Sequence, residues 1–465
     1  MSSVITSDSI NAEIEVDCLI IGGGAAGLTA ALAASETGET VLVAERDATL
    51  SGSTALSSGL VPAAGTSAQA AQSIADSQSA FFDDIMAKNK HRADPEHVRT
   101  IVAQAPRTID WLAESHDIPF HVLDDFLYPG HSHHRMHAVP EVTGQGLITR
   151  LEKAVAGTET MIVTGARVAD LVLSTRGEVI GAHCERPDGT REAIAAQRTI
   201  LACNGYGGNP DLVAKHIPEM KDALYFGHPG NQGEAILWGE QIGAVPAHLS
   251  GYQGHGSVAH PHGILVTWAL MMEGGIQINL EGRRFSNEHQ GYSEQAVAVL
   301  AQPDKTAFNI FDSRLRDLGQ KFEDFRNAAD SGAVITANTL DELAGRIGVN
   351  EAALAATMQE CSALADSGKA DEFGRAFNHE TLLSPPYCAV KVTGALFHTQ
   401  GGLLVDGQAR VKRSDGSVFE SLFACGGAAC GVSGPDVSGY LSGNGLLTAL
   451  ALGHLAGGYA AQINR

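Results

Sequence analysis

Three glycines near the start of the chain have a spacing suited to binding phosphate. Gly22, Gly24 and Gly27 form a G-x-G-x-x-G pattern within IIGGGAAG. In such a turn the first glycine allows a sharp bend, the second lets the backbone approach a pyrophosphate, and the third lets a helix pack closely on a strand. The N–H groups and the dipole at the start of the following helix favour an anion. The pattern predicts a site for the pyrophosphate of a dinucleotide.

The elements that must position this turn flank it. Residues 18–21 form an apolar run that predicts a buried strand, residues 28–34 have helix-forming composition, and Val41–Ala44 predicts a second strand that ends at Glu45. Glu45 follows Gly27 by 18 residues, which suits a carboxylate that accepts from ribose hydroxyls. An isolated glycine-rich turn is weak evidence, but here strand, helix, strand and acid occur in the expected order. We therefore expect a dinucleotide-binding unit and not an ordinary tight turn.

A loop rich in small and hydroxyl side chains follows at residues 51–65, SGSTALSSGLVPAAG. Its hydroxyl and N–H groups suit contact with a pyrophosphate and a ring system, although a flexible linker would have a similar composition. The sequence leaves both interpretations open.

Histidines and cysteines form no recognised metal pattern. The loop FLYPGHSHHRMH brings several imidazoles together, and three or four imidazoles are able to bind zinc. No cysteine or carboxylate completes a known spacing, so we predict no metal site. The seven cysteines include no C-x-x-C pair, which is typical of buried thiols in a reducing cytoplasm.

Length and charge limit the classes of function. A chain of 465 residues favours two domains, and a net charge of −22 disfavours nucleic acid and anionic membranes as partners. The first 17 residues have no basic or apolar region typical of an export signal, and no run of 18 apolar residues occurs. We therefore expect a cytoplasmic protein without a membrane span.

Several motifs resemble the fumarate reductase/succinate dehydrogenase flavoprotein family, which includes the 3-ketosteroid dehydrogenases. The motifs are IIGGGAAG, SGSTALSSG, LACNGYGGN, GEAILWGEQIGA, GGIQINLEGRRFSNE, LFACGGAACG and GYLSGNGLLTALALGHLAGG. The resemblance implies an α/β fold: a Rossmann-like FAD-binding domain of the glutathione-reductase type with an inserted α+β capping domain. It implies an FAD-binding domain at residues 1–248 and 384–465, and a capping domain at residues 249–383.

The cofactor implied by the resemblance is FAD. Membrane-bound fumarate reductases attach FAD through a histidine in the hydroxyl-rich loop, and residues 51–59 contain none, which implies non-covalent FAD. The start of the last helix would stabilise negative charge on reduced flavin. The implied cofactor-binding residues are Gly22, Gly24, Ala25, Ala26, Gly27, Glu45, Arg46, Ser51, Gly52, Ser53, Thr54, Ser57, Ser58, Gly59, Val168, Asn204, Gly205, Gly426, Gly427, Asn444, Gly445, Leu446 and Leu447.

Two departures from the family pattern bear on the substrate. Tyr292 stands where the resemblance places a proton-donating arginine, and Tyr440 stands where it places an arginine that clamps a substrate carboxylate. The family's T-E-x-x-R proton relay corresponds to residues 267–271, TWALM, which lack both its acid and its base. A charge-assisted contact contributes about 1.5–3 kcal/mol, and a neutral phenol cannot replace a guanidinium bidentately. Dicarboxylate chemistry is therefore disfavoured.

Tyrosines at these two positions look like those of the ketosteroid dehydrogenases. There one tyrosine abstracts a proton beside a carbonyl, and a second polarises that carbonyl together with a backbone N–H. Tyr128 is a candidate for the family's additional tyrosine. His255 and His398 are instead fumarate-reductase-like features, where both contact substrate. Each of these residues also has a purely structural interpretation.

Three functions follow as hypotheses. The first is an FAD-dependent dehydrogenase that desaturates the carbon–carbon bond beside the carbonyl of a 3-ketosteroid or a smaller cyclic ketone. The second is an ene-reductase of an enone or enoate, which runs the same chemistry in reverse. The third is a non-catalytic electron-transfer subunit. The chain has no C-x-x-C-H haem motif and no iron–sulfur cysteine run, so either enzyme needs an external electron acceptor or donor.

Overall fold

The computed structural model describes residues 3–124 and 127–460, which alternate between helices and strands. The helices are α1 (Ala25–Ser35), α2 (Gly52–Ala55), α3 (Ser67–Ala71), α4 (Gln78–Lys88), α5 (Pro95–His116), α6 (Gly144–Ala156), α7 (Pro210–His216), α8 (Glu234–Ile242), α9 (Ala269–Met272), α10 (Tyr292–Leu300), α11 (Ser313–Gly319), α12 (Glu323–Asp330), α13 (Leu340–Ile347), α14 (Glu351–Ser367) and α15 (Asn444–Ala460). The strands are β1 (Ser3–Thr6), β2 (Ile14–Ile21), β3 (Val41–Ala44), β4 (Val61–Pro62), β5 (His121–Leu123), β6 (Met136–Ala138), β7 (Met161–Val163), β8 (Arg167–Leu173), β9 (Val179–Glu185), β10 (Arg191–Leu201), β11 (Leu224–Tyr225), β12 (Pro246–Ala247), β13 (Tyr252–Ala259), β14 (Ile264–Leu265), β15 (Ile276–Ile278), β16 (Thr306–Asp312), β17 (Ile335–Ala337), β18 (Tyr387–Thr399), β19 (Gly402–Leu403), β20 (Arg410–Lys412) and β21 (Val418–Ala424).

The chain divides into two compact units. The described residues within Met1–Ile217, Gly227–Tyr252 and His398–Arg465 form the first unit, and those within Pro218–Phe226 and Gln253–Phe397 form the second unit. The predicted division into an FAD-binding domain and a cap concerns how such units act on a cofactor, and it stays a prediction.

The main sheet of the first unit has a parallel centre. Its strand order is β1-β8-β9-β10-β2-β3-β7, and β21 pairs with β10 and β20. Parallel register pairs Ile21 with Ala44, and Leu201 with both Ile21 and Ala424. Because parallel strands point the same way, their carboxyl ends meet at one edge of the sheet. The glycine-rich turn and Glu45 follow two of these strands directly.

Helices α1 and α15 pack closely because the facing residues are small. A methyl group added to Gly453 would lie 2.5 Å from the carbonyl oxygen of Ala26, and one added to Gly457 would lie 2.2 Å from that of Ala30. Only residues without a Cβ permit this approach of two backbones. The contact holds together two helices that both begin with predicted cofactor residues.

The second unit has its own sheet and core. The strand order is β14-β13-β18-β16-β15, and β11 and β17 also pair with β18. Every residue of β16 is buried, so this strand is covered on both faces. One hydrophobic cluster contains Trp268, Phe311 and Phe325, and a second contains Phe308 and Leu354.

An ion-pair network in the second unit holds the turn that precedes α10. Glu288 accepts hydrogen bonds from Arg284 at 2.7 Å, from Arg375 at 2.8 Å and from the backbone N–H of Gln277 at 2.9 Å. Burial by itself would raise the pKa of Glu288, but the Arg375 and Arg284 guanidinium groups outweigh it and lower the pKa. The ionised carboxylate thus ties the RRFSNE turn to β15, which places the start of α10.

In the part of the chain that the structure describes, no helix has both the length and the apolar character needed to cross a membrane.

Candidate functional site

The glycine-rich turn has the geometry that its spacing predicts. Gly22 has a φ of +108°, and a methyl group on it would lie 2.6 Å from the carbonyl oxygen of Ala202. A methyl group on Gly27 would lie 1.9 Å from the carbonyl oxygen of Gly22. Above Gly24 the space is open, since a methyl group there would approach only the Thr54 hydroxyl, at 3.7 Å. The turn is therefore closed where helix and strand pack and open where a pyrophosphate needs access.

Glu45 has a structural role that sequence reasoning missed. Its carboxylate accepts from the backbone N–H of Gly23 at 2.7 Å and from that of Asp47 at 2.9 Å. These bonds link the end of β3 to the glycine turn and leave further lone pairs for a ligand. Beside it, the Arg46 guanidinium donates to the carbonyl oxygen of Gly230 at 2.7 Å. Contact of Glu45 with ribose stays a prediction.

The hydroxyl-rich loop is bound to its surroundings and is not a free linker. Residues Gly52–Ala55 form α2, and the Thr54 hydroxyl accepts from the backbone N–H of Ala25 at 3.2 Å. The Ser57 hydroxyl donates to the carbonyl oxygen of Thr54 at 2.7 Å, and the Ser53 hydroxyl accepts from the Asn231 amide at 2.8 Å. Ser51 precedes α2, Ser58 is exposed, and Gly59 has a φ of +70°.

Five further predicted cofactor residues lie in or after other strands of the same sheet. Asn204, with a φ of +63°, and Gly205 follow β10, while Gly426 and Gly427 follow β21. A methyl group on Gly427 would lie 2.2 Å from the Asn204 amide oxygen, so these two turns touch. Val168 is buried in β8. The topology therefore brings the turns after β2, β3, β10 and β21 to one edge.

The first turn of α15 presents a buried polar atom without a partner. The side-chain N–H of Asn444 donates to the Ser433 hydroxyl at 2.9 Å, while its Oδ1 atom is buried and has no hydrogen-bond partner among the described residues. Next to it, a methyl group on Gly445 would lie 2.9 Å from Cε1 of His398. Leu446 is partly buried and Leu447 fully buried in the main core.

His398 and Tyr440 are in contact within the first unit. Their rings meet edge to face at 5.5 Å and 77°. Burial raises the pKa of the Tyr440 phenol well above its ordinary value, against an opposite effect of the backbone N–H groups of Gly443 and Gly445. Burial also lowers the pKa of His398 to about 4, while its contact with the carbonyl oxygen of Thr399 acts in the other direction. At neutral pH both side chains are uncharged.

His255 and Tyr292 are in contact within the second unit. Their rings stack at 4.9 Å and 20°, and His255 also stacks on Phe397 at 5.3 Å and 22°. Two glycines flank His255 in β13, and a methyl group on Gly254 would lie 2.8 Å from Cβ of Ala296. Because glycine has no side chain, α10 packs closely on β13 at these positions, which brings the first residue of α10, Tyr292, beside the imidazole.

His255 is neutral, and its proton position follows from its contacts. Nδ1 accepts from the backbone N–H of Ser257 at 3.2 Å, so in the neutral ring the proton is on Nε2. Burial lowers the pKa of His255 to about 3. Trp268 meets this ring edge to face at 5.8 Å, and its buried indole N–H finds no acceptor within residues 3–124 and 127–460.

The histidine-rich loop has structural contacts. His131 Nε2 lies 3.0 Å from the carbonyl oxygen of Ser442, and His137 Nε2 lies 2.7 Å from the Thr66 hydroxyl. Tyr128 is in the same loop, where its carbonyl oxygen accepts from the N–H of His131. Across the described ranges, no group of three or more histidine, cysteine or acidic side chains is arranged to hold a metal ion.

Sequence reasoning missed Gln400 and Ser433, which connect His398 to Asn444. The Gln400 amide nitrogen lies 3.0 Å from Nδ1 of His398, and its oxygen accepts from the Ser433 hydroxyl at 2.6 Å. The only available signal was that Gln400 lies two residues after His398, in the segment FHTQGG.

The parallel sheet, the glycine turn and the converging loops define a dinucleotide-binding α/β protein. The family model described as "FAD binding domain" matches residues 17–446. The chain is 30% identical over 450 residues to the probable fumarate reductase Ifc3 of Shewanella frigidimarina, covering 96% of this chain and 74% of that protein. The chain therefore belongs to the FAD-binding family that includes these fumarate reductases.

Solved structures agree with this fold. The open conformation of a flavocytochrome c3 fumarate reductase is similar with a TM-score of 0.82 and 27% identity, covering 97% of this chain and 79% of that one. A 3-ketosteroid-Δ4-(5α)-dehydrogenase from Rhodococcus jostii RHA1 has a TM-score of 0.78 at 23% identity, covering 98% and 99%. At that identity the second likeness concerns the fold alone.

The chain is an FAD-dependent oxidoreductase acting on carbon–carbon double bonds. The predicted family, fold and cofactor are thereby confirmed, and the hypothesis of a non-catalytic subunit falls.

The residues present fit FAD. The open backbone at Gly24 suits a pyrophosphate, and the unpartnered Oδ1 of Asn444 suits a ligand that offers an N–H, as an isoalloxazine ring does. Both features lie in the first unit, together with all the predicted cofactor residues. The assignment of individual residues to FAD stays a prediction.

Proposed function

We propose that the enzyme desaturates the α,β carbon–carbon bond of a ketone, a 3-ketosteroid or a smaller cyclic ketone. The observation that carries this proposal is Tyr440, a buried neutral phenol next to the first turn of α15 and in contact with a neutral imidazole. The sequence resemblance places a carboxylate-binding arginine at this position. A neutral donor suits a carbonyl oxygen, whereas a dicarboxylate would lose its charged partner there.

Tyr440 would donate to the substrate carbonyl. Since burial raises the pKa of this phenol, it keeps its proton throughout the physiological pH range. A neutral donor aimed at an oxygen that gains negative charge stabilises an enolate-like transition state, and such donors typically contribute about 2.7–4 kcal/mol. His398, neutral and in contact with the same ring, is a second candidate donor.

Tyr292 would accept the α-proton. Free tyrosine has a pKa of about 10, so this role needs help from neighbours or from helix N–H groups. Tyr292 is the first residue of α10, where the helix dipole favours a negative charge on a nearby oxygen. The stacked His255 ring adds no positive charge, because burial lowers its pKa to about 3.

Two hydrogens leave the substrate in this reaction. The α-proton passes to the oxygen of the Tyr292 phenolate, which becomes a phenol, and the β-carbon gives up a hydride, so that the carbon–carbon single bond becomes double. Bound FAD supplies the two-electron acceptor for that hydride. An external electron acceptor then takes up the two electrons and completes the cycle.

The second candidate is an ene-reductase of an enone or enoate. It is favoured by His255 and His398, which stand at positions that the sequence resemblance assigns to substrate contact in fumarate reductases. It is also favoured by the name of the relative that is 30% identical, a probable fumarate reductase. In this direction Tyr292 would deliver a proton to the α-carbon.

Anaerobic mixing of the oxidised enzyme with a panel of cyclic ketones tests the first candidate. A ketone substrate should bleach the flavin absorbance. Mixing the reduced enzyme with the matching enone tests the second candidate, the ene-reductase. Tyr292→Phe should lower the rate of bleaching by about 10²–10⁴-fold with unchanged FAD content. Tyr440→Phe should lower both the rate and the affinity for the ketone. Tyr387→Phe, in the second unit, is the matched control. Bleaching at the wild-type rate in both Tyr292→Phe and Tyr440→Phe would refute the roles proposed for these two tyrosines.

A further inference from the structure

Four side chains of the first unit form a continuous row of hydrogen bonds. The row runs from Asn444 to Ser433 at 2.9 Å, from Ser433 to Gln400 at 2.6 Å, and from Gln400 to Nδ1 of His398 at 3.0 Å. Asn444, Ser433 and Gln400 are all buried. Because these side chains are buried, the direction of each hydrogen bond constrains the direction of the next.

The Asn444 end decides that direction. With the Asn444 N–H donating, Ser433 must donate to the Gln400 oxygen, and the Gln400 N–H then donates to Nδ1 of His398. Turning the Gln400 amide alone would make Ser433 accept from both amides and would leave its buried hydroxyl proton without an acceptor among the described residues. Turning both amides would place the buried Asn444 NH₂ group where the structure offers Oδ1 no partner among those residues. Buried N–H groups without an acceptor are rarer than buried carbonyl oxygens without a donor.

One contact of the His398 ring opposes this direction, because the carbonyl oxygen of Thr399 would accept from a protonated Nδ1. That oxygen lies 3.3 Å from Nδ1, farther than the Gln400 amide at 3.0 Å, so the Gln400 contact is the stronger one. Tyr440 is the titratable side chain in ring contact with His398, and its raised pKa keeps it neutral. The edge of the ring away from Nδ1 lies next to Gly445, where an added methyl group would be 2.9 Å from Cε1 and 3.0 Å from Nε2.

We propose that Gln400 and Ser433 hold His398 as a neutral imidazole with its proton on Nε2, so that His398 is a fixed N–H donor to an acceptor oxygen of the substrate. Gln400 and Ser433 are then positioning residues, and His398 is neither a general acid nor a general base. This rests on the proposed function for the identity of the substrate oxygen, but the proton position itself does not.

The proton position is measured by ¹⁵N NMR of the holoenzyme labelled at histidine, with His398→Asn to identify the His398 signals. We expect His398 to have a protonated Nε2 and an unprotonated Nδ1 between pH 5 and 8, in agreement with burial lowering the pKa of His398 to about 4. A proton on Nδ1, or a ring that titrates near pH 6.5, would overturn it. No substrate is needed, so a failure of the proposed function leaves this result intact.

Gln400→Glu tests the positioning role. A carboxylate beside Nδ1 reverses this hydrogen bond and raises the pKa of His398 by about 1–3 units. Neutral His398 would then carry its proton on Nδ1 and lose the Nε2 donor. Binding of 2-cyclohexen-1-one to the oxidised holoenzyme should weaken by about 2- to 10-fold as the pH rises through the new pKa, the effect of one neutral hydrogen bond.

The wild-type enzyme and Gln408→Glu should show no such pH dependence. Gln408→Glu is the matched control because it makes the same change of charge on an exposed turn. Gln400→Leu, which removes the amide without adding charge, should leave a mixture of both proton positions in the NMR spectrum. A Gln400→Glu enzyme whose His398 keeps the wild-type ¹⁵N pattern would overturn the positioning role.

Discussion

Adjacent glycines in α15 allow a direct test of how this helix packs on α1. Gly457 and Gly458 are neighbours, and replacing either with alanine should favour the helix by up to about 1 kcal/mol. At Gly458 an added methyl group meets nothing within 4 Å, so we expect Gly458→Ala to be neutral or stabilising by up to that amount. At Gly457 the methyl group would lie 2.2 Å from the carbonyl oxygen of Ala30 and 2.9 Å from Cβ of Ala33.

The close contact at Gly457 cannot be relieved by a side-chain rotation, because the nearest atom belongs to the backbone of α1. Moving apart two packed helices costs about 1–3 kcal/mol by overpacking, and more where the shift approaches an ångström. We therefore expect the free energies of unfolding of the two variants to differ by about 2–4 kcal/mol, with Gly457→Ala the less stable.

Urea unfolding of both variants, followed by circular dichroism and by flavin fluorescence, measures this difference. Since α1 and α15 both begin with predicted cofactor residues, Gly457→Ala should also release FAD at a lower urea concentration than Gly458→Ala. Equal midpoints for the two variants would show that α15 does not approach α1 as closely as the structure has it.

Three further predictions concern the cofactor, the substrate and pH. FAD should remain in the supernatant when the protein is precipitated with acid, and flavin retained in the pellet would contradict non-covalent binding. Fumarate and succinate should be poor substrates, because Tyr292 and Tyr440 offer no guanidinium to a carboxylate; rapid fumarate reduction with an artificial donor would overturn this argument. Burial lowers the pKa of His255 to about 3, so between about pH 6.5 and pH 3 this imidazole is protonated in the unfolded chain but neutral in the folded protein. The free energy of unfolding should therefore fall by about 2 kcal/mol from this group alone between pH 7 and 5, and His255→Phe should reduce that loss. An unchanged acid sensitivity in this variant would contradict the assignment.

The local elements could be read from the sequence because each depends on nearby residues. The glycine spacing and its flanking apolar runs predicted the strand, turn and helix around Gly22, and the structure has β2 and α1 there. The last helix, which the resemblance implied, is α15. The identity of the family was also readable, since motifs such as LACNGYGGN combine a buried strand with a turn that only small residues permit. The residues proposed to contact FAD and substrate came from the resemblance, and their roles stay predictions.

Tertiary structure alone decided how these pieces act on one another. The sequence did not reveal that the Glu45 carboxylate binds the backbone of the glycine turn, because the hydrogen bond depends on the pairing of β2 with β3. Nor did it reveal the row that joins His398 to Asn444, because its middle hydrogen bond links Gln400 to Ser433 across 33 residues. Charge in such a site is likewise a tertiary property. An imidazole has a pKa near 6.5 in any unfolded chain, and only burial, which removes water from around the charged form, lowers it to about 4 at His398 and about 3 at His255.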